Sequence, residues 1–251
     1  VAAYNLGLAL LRQRCPEVAG SLEHVRDIDP EHLGCSTSDV YRMLLKVPQF
    51  MTRKDFRSLL SSDHEALLET NFATHAEPEA YNPRGVLLFG AAEILRSRLC
   101  GDLIQEGCIR EFGRLMKISH DGDRVSRRAG DGEYRLTAEP YTDRCIEQLI
   151  ADLGSEDPAR VMQAQLFMQP GAYRCSTPEI DQMVDVASAV PGVVGVQIAG
   201  AGLGGCIMVL ARRDAVEAVR KALAKEYYYP RNLKPAVLPC IATDGAGLAE
   251  F

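Results

Sequence analysis

The run Val193-Val194-Gly195-Val196-Gln197-Ile198-Ala199-Gly200-Ala201-Gly202-Leu203-Gly204-Gly205-Cys206-Ile207-Met208-Val209-Leu210 decides how this chain is read, because a glycine-rich tip stands between two apolar β-type segments. Glycine lacks a Cβ, accepts positive φ, and lets successive N–H groups converge on an anion. Gly200, Ala201, Gly202, Leu203, Gly204, Gly205 and Cys206 therefore form the first candidate site, a loop able to meet phosphate or substrate with bare backbone. Gly200, Gly202 and Gly205 also satisfy G-x-G-x-x-G. The dinucleotide fingerprint requires the third glycine to open a helix, however, and here Cys206 to Leu210 is a short apolar run rich in β-formers. The unit reads strand, glycine loop, strand, helix. A glycine-rich hairpin with no ligand fits the same pattern equally well.

Working outward, Ser176-Thr177-Pro178-Glu179 reads as a capping box, with Ser176 accepting from the third helical N–H and Pro178 placed where no intrahelical donor is needed. Ile180, Met183, Val184 and Ala187 follow as a buried stripe, and Pro191-Gly192 ends that helix. After the two strands, Asp214 to Tyr227 repeats the helical spacing, with Val216, Val219, Ala222 and Leu223 inward. Ala236 to Ala242 reads as a final strand. The order αββαβ over residues 176–251, completed by one earlier strand, predicts an α+β fold with a ferredoxin-like split βαβ sheet packed with several helices. Such a fold names no function by itself.

Residues 1–175 read as mainly helical. Helical segments are predicted over 5–14, from Asp29-Pro30-Glu31, over 38–46 and over 53–60. Another starts at Asn82-Pro83 with Leu88, Ala91, Ala92, Leu95 and Leu99 on one face and Gly101 as its stop. Cys108 to His120 follows, with Ile109, Phe112 and Met116 aligned. Residues 121–136 break the pattern and predict a long loop or hairpin. Its Arg124, Arg127 and Arg128 could bind phosphate, although a solvated charged loop is the blander reading. Helical pattern resumes over 141–153 and 158–168.

With 47% hydrophobic and 25% charged residues the chain has an ordinary globular composition, and its net charge of −6 argues against nucleic acid or an anionic membrane as a general partner. No apolar run reaches the roughly 18 residues that span a bilayer, and Val1 to Leu11 lacks a signal-peptide pattern. Eight scattered cysteines without a C-x-x-C pair fit reduced thiols, so a cytoplasmic location is expected. The five histidines show no ligand spacing, and no metal site is expected. Because structured-looking sequence begins immediately at Val1, further sequence is expected before it.

Several segments in order resemble the C-terminal half of galactokinases, members of the GHMP family of small-molecule kinases. They are Tyr4-Asn5, Asn82 with its helix, Glu111-Phe112-Gly113-Arg114-Leu115-Met116, Ser119-His120, Ser176 to Asp181, Gly195 to Cys206 and Asp244-Gly245-Ala246. The resemblance implies ATP-dependent phosphoryl transfer to a monosaccharide, with galactose giving galactose 1-phosphate, and with ATP and Mg²⁺ held mainly by an N-terminal domain as partner. It implies a phosphate or substrate role for the 200–206 loop and a sugar contact for Tyr4; a half-buried junction aromatic is the equal alternative for Tyr4. The family's first and second signatures and its usual catalytic aspartate have no counterpart in these residues, so no catalytic residue is expected here and the chain alone should be inactive. Leu6-Gly7-Leu8 stands where galactokinases usually carry arginines, which leaves L-fucose, L-arabinose or a uronic acid open as the sugar. A non-catalytic small-molecule-binding regulatory module is the reading from a different class. Residues of about 121–170 read as an insertion. An apolar face left by a missing partner domain predicts a homo-oligomer.

Overall fold

The computed structural model describes residues 1–138, 140–200 and 205–241. Its first part is helical: α1 (Ala2–Arg14), α2 (Pro30–Leu33), α3 (Thr37–Leu45), α4 (Arg53–Leu59), α5 (Glu65–Phe72), α6 (Pro83–Gln105) and α7 (Ile109–Asp123). Side-chain caps set several starts. Asp29 accepts from the backbone of Glu31 and His32, while Ser36 and Thr52 close reciprocal boxes with Asp39 and Asp55. At α6, Asn82 accepts from Gly85 N and Pro83 occupies the first turn. Gly101 does not stop this helix; the chain turns only at Gly107, whose φ is +74°.

One core lies under these helices. Leu6, Leu10 and Leu11 of α1, Tyr41 and Leu44 of α3, Phe56 of α4 and Leu87 and Leu88 of α6 are all buried in it. Each such aliphatic side chain contributes about 1.5–3 kcal/mol relative to exposure. Arg96 is buried beside them because its Nη1 donates to the carbonyls of Phe167 (2.9 Å) and Gln169 (2.7 Å).

The stretch predicted as loop or hairpin forms a short one, β1 (Ser126–Arg128) paired antiparallel with β2 (Tyr134–Leu136). It is followed by α8 (Asp143–Leu153) and α9 (Pro158–Gln163), and then by α10 (Pro178–Ser188), β3 (Val193–Ala199), β4 (Cys206–Ala211) and α11 (Val216–Leu223). A second core joins Ile180, Val184 and Ala187 of α10, Val196 and Ile198 of β3, and Val219 and Leu223 of α11. The α+β class stands, with the sheets small and antiparallel.

Three sequence expectations need correcting. No strand forms over 236–241, because Pro235 and Pro239 remove backbone donors that a ladder would need; Ala242 lies outside the described residues. Among the described residues β1–β2 and β3–β4 are two separate two-stranded sheets, so the four-stranded split βαβ sheet is not closed. The cap of α10 is Thr177, whose Oγ1 accepts from Ile180 N, while Ser176 turns instead to Asp181.

Candidate functional site

β3 and β4 pair from Val193↔Ala211 to Ala199↔Cys206, so residues 200–205 connect them as a hairpin tip. Gly200 enters the tip with φ of +77°, a conformation that side chains resist, and a Cβ on Gly205 would stand 2.9 Å from the Ala199 carbonyl. Cys206 is exposed at the far end. Ala201, Gly202, Leu203 and Gly204 lie outside the described residues.

Two helices deliver their ends to the same place. Only residues 189–192 separate α10 from β3, so α10 runs back along the strand and its Thr177 end lies at the Ala199 end. On the opposite face α7 crosses β3 through a glycine contact. A Cβ on Gly113 would meet the Val194 carbonyl at 2.5 Å, and one on Gly195 would meet Gly113 Cα at 2.7 Å. From that contact near the start of β3, α7 continues to His120, which meets Asp181 at the start of α10. The Ala199 end of β3, the end of α7 and the beginning of α10 therefore lie together.

Asp181 is fully buried and is the hub of this junction. Its Oδ2 accepts from Val125 N (3.1 Å), Ser126 N (2.7 Å) and Ser126 Oγ (2.9 Å), and its Oδ1 from Ser176 Oγ (2.7 Å). Burial pushes this carboxyl up, but the close His120 ring together with the Ser176 and Ser126 donors outweighs it and holds the group below the usual carboxylate range. His120 Nε2 lies 3.3 Å from Asp181 Oδ1 but off the hydrogen-bond direction, so both buried ring nitrogens lack an in-line partner among the described residues. One turn on, Asp123 is also buried, and burial raises its carboxyl to about 6, with the hydrogen bond from Cys175 Sγ (3.1 Å) partly offsetting the rise. Burial and the neighbouring Asp123 push the Cys175 thiol up to about 12.

Tyr4 is half-buried on α1. Its ring meets Tyr173 at 5.4 Å between centroids, and Tyr173 stacks on Phe89 of α6 at 5.2 Å. Burial raises the Tyr4 phenol, with Tyr173 and Asp123 adding to the effect. Leu6 and Gly7, in the segment that departs from the galactokinase pattern, are buried, and a Cβ on Gly7 would meet Pro83 Cβ at 3.1 Å. That departure fills the α1–α6 contact.

Residues 149–229 match the family model described as GHMP kinases C terminal. That stretch is similar to the C-terminal domain of GHMP kinases. The matched stretch runs from within α8 through α11 and includes the glycine-rich connection and the start of α10. Similar proteins include a galactokinase of Actinobacillus succinogenes (strain ATCC 55618 / DSM 22257 / CCUG 43843 / 130Z), 40% identical over 86 residues, which are 34% of this chain and 22% of that protein. A galactokinase of Roseiflexus sp. (strain RS-1) is 37% identical over 75 residues, 30% of this chain and 19% of that protein. One of Haemophilus influenzae (strain ATCC 51907 / DSM 11121 / KW20 / Rd) is 34% identical over 87 residues, 34% of this chain and 23% of that protein. The matched stretch spans about a fifth of each of these relatives.

Sequence reading singled out residues 200–206 and Tyr4 but missed the polar junction of His120, Asp123 and Asp181. Ser119-His120 and the Ser176 to Asp181 helix start were both singled out, yet the His120–Asp181 pairing crosses 61 positions and leaves no local spacing signal. Asp123 was read as part of a loop; the structure carries α7 through it. The α7 stripe is likewise displaced. Gly113, Met116 and His120 are buried, whereas Ile109 is exposed. No helix among the described residues is long and apolar enough to cross a membrane.

Proposed function

We propose that residues 1–251 form the C-terminal half of a galactokinase-like sugar kinase which, in the complete cytoplasmic enzyme, transfers the γ-phosphoryl group of ATP to galactose. The observation that carries this reading is the glycine tip between β3 and β4, set within the matched stretch where α7 and α10 end and begin. Its galactokinase relatives support the sugar.

Phosphoryl transfer is mainly positioning and charge stabilisation, and backbone amides around Gly200 to Gly205 suit the phosphate side because they offer positive partial charge without bulk. Tyr4, backed by Tyr173, is the proposed sugar contact; an aromatic face packs against the C–H surface of a pyranose, and the hydroxyl supplies polarity at the edge. ATP and Mg²⁺ are assigned mainly to the N-terminal half, together with the phosphate loop and the base. On this reading the 251-residue chain alone does not turn over.

The test is ADP release by the full-length protein with Mg-ATP across a panel of monosaccharides. Galactose is expected to give the highest kcat/KM. Preference for L-fucose, L-arabinose or a uronic acid would overturn the narrower assignment, and no release with any sugar would overturn the kinase reading. The isolated chain is also expected to self-associate, since Met208 on β4 is 48% exposed. Light scattering that gave a monomer mass would contradict this.

A further inference from the structure

Between the end of α7, the β1–β2 hairpin, residues 137–138 and 140–141 and the segment 170–174 lies a cleft of about 320 Å³ that the proposed phosphoryl transfer does not use. Its lining mixes two chemistries. Pro140, Tyr141, Pro170 and Ala172 are apolar, and Arg124, Arg127 and Arg174 are cationic, with Asp121 the single carboxylate among the described lining residues.

The arginines differ in how they are held. Arg124 is buried and saturated; its Nη2 donates to Asp185 Oδ1 (2.7 Å), its Nη1 to Ser126 O (3.2 Å) and its Nε to Asp121 Oδ1 (3.2 Å). Arg174 is pinned to the cleft edge by Nη1 donating to Thr137 Oγ1 (3.1 Å) and Nη2 to Thr137 O (3.2 Å). Arg127 is different. Its side chain is 59% exposed, and one hydrogen bond, Nη2 to Asp121 Oδ1 at 2.8 Å, is all that ties its head to the described residues. A guanidinium offers five N–H donors, so most of this fork is available to a ligand.

The backbone is also unusual here. Tyr141 (φ +74°) and Arg174 (φ +58°) are non-glycine residues in the left-handed region, and both line the cleft. Each costs about 1–2 kcal/mol. The surroundings enforce both conformations, since Gly171 N donates to Tyr141 Oη (3.1 Å) and Arg174 N to Gly122 O (3.0 Å). Strain of this kind gathers at ligand sites.

We propose that this cleft binds an organic phosphate monoester, with the phosphate on Arg127 in the field of Arg124 and Arg174 and the organic body on Pro140, Tyr141 and Pro170. Arginine suits the task because its planar fork matches phosphate oxygens two at a time. The proposal goes beyond the kinase reading and does not depend on it, because Gly200, Gly205 and Cys206 are not among the described lining residues.

The experiment is isothermal titration of the intact protein with phenyl phosphate, with benzyl alcohol and inorganic phosphate as separate probes. Saturable binding of phenyl phosphate is expected, weaker binding of inorganic phosphate, and none of benzyl alcohol. Arg127→Gln should weaken phenyl phosphate at least about tenfold through loss of a charge-assisted contact, with a melting temperature changed little because the side chain is exposed. Ala138→Trp, which fills the exposed mouth and leaves every charge in place, should weaken it as well. No saturable binding, or binding that neither substitution changes, would overturn the proposal.

Discussion

Asp123→Asn should make the protein more resistant to denaturation at pH 8 than at pH 4, relative to the parent chain. Burial raises the Asp123 carboxyl to about 6 in the folded protein, whereas an unfolded chain releases that proton near pH 4. Between those two values the folded form holds a proton that the unfolded form has lost. Stability from this group is therefore fully present below about pH 4, falls as pH rises to about 6, and is level beyond. Two pKa units at about 1.36 kcal/mol each give roughly 3 kcal/mol. For a chain of this length that corresponds to about 6–12 °C in melting temperature. Asparagine cannot ionise, and its Oδ1 can still accept from Cys175 Sγ, which stays a neutral thiol because burial, the largest cause of its raised value, persists without Asp123. Urea denaturation of both proteins at pH 4 and pH 8 isolates the pH-dependent part, since any constant cost of the new amide cancels. A stability difference between variant and parent that is the same at both pH values would refute the reasoning.

Asp181→Ala leaves two backbone N–H groups and two buried hydroxyls without their acceptor and should cost about 3–5 kcal/mol in chemical denaturation; a loss below about 1 kcal/mol would contradict its role as the hub. Gly113→Ala should destabilise by about 1–3 kcal/mol although alanine is the better helix former, because the new Cβ meets the Val194 carbonyl at 2.5 Å; a gain in melting temperature would show that α7 can move off β3. Gly200→Val in the full-length protein should cost only about 1–2 kcal/mol of stability, since nothing among the described residues lies within 4 Å of the added Cβ, but should lower kcat/KM at least about tenfold by changing the path of the backbone at Gly200. Unchanged kinetics would remove the tip from the site.

Much of the local structure was legible because it is written in neighbouring residues. Val193 to Leu210 announced two strands and a tip, Asn82-Pro83 announced the start of α6, and the apolar stripe from Ile180 to Ala187 announced the face of α10, all within a few positions. The failures are contacts of longer reach or choices between near-equivalent groups. Thr177 displaced Ser176 as the cap of α10 because Ser176 found a buried carboxylate, Asp181, that no capping pattern foresees. The α7 stripe slid from Ile109 toward Gly113 because backbone contact with β3 required a residue without a side chain. Arg124 was read in a solvated loop, yet it is buried, since Asp185 on α10 accepts from it across 61 positions. The last strand failed for a reason that stood in the sequence, the donors missing at Pro235 and Pro239.

The central claim is that this chain supplies a glycine tip and a sugar wall to a kinase whose phosphate loop and base lie in an N-terminal half. It is tested most directly by measuring ADP release from Mg-ATP and galactose with the 251-residue chain alone and with the same chain joined to its natural upstream sequence. The account predicts no turnover from the first and saturable, galactose-dependent turnover from the second. Turnover by the isolated chain, or none from the joined protein with any monosaccharide, would contradict it.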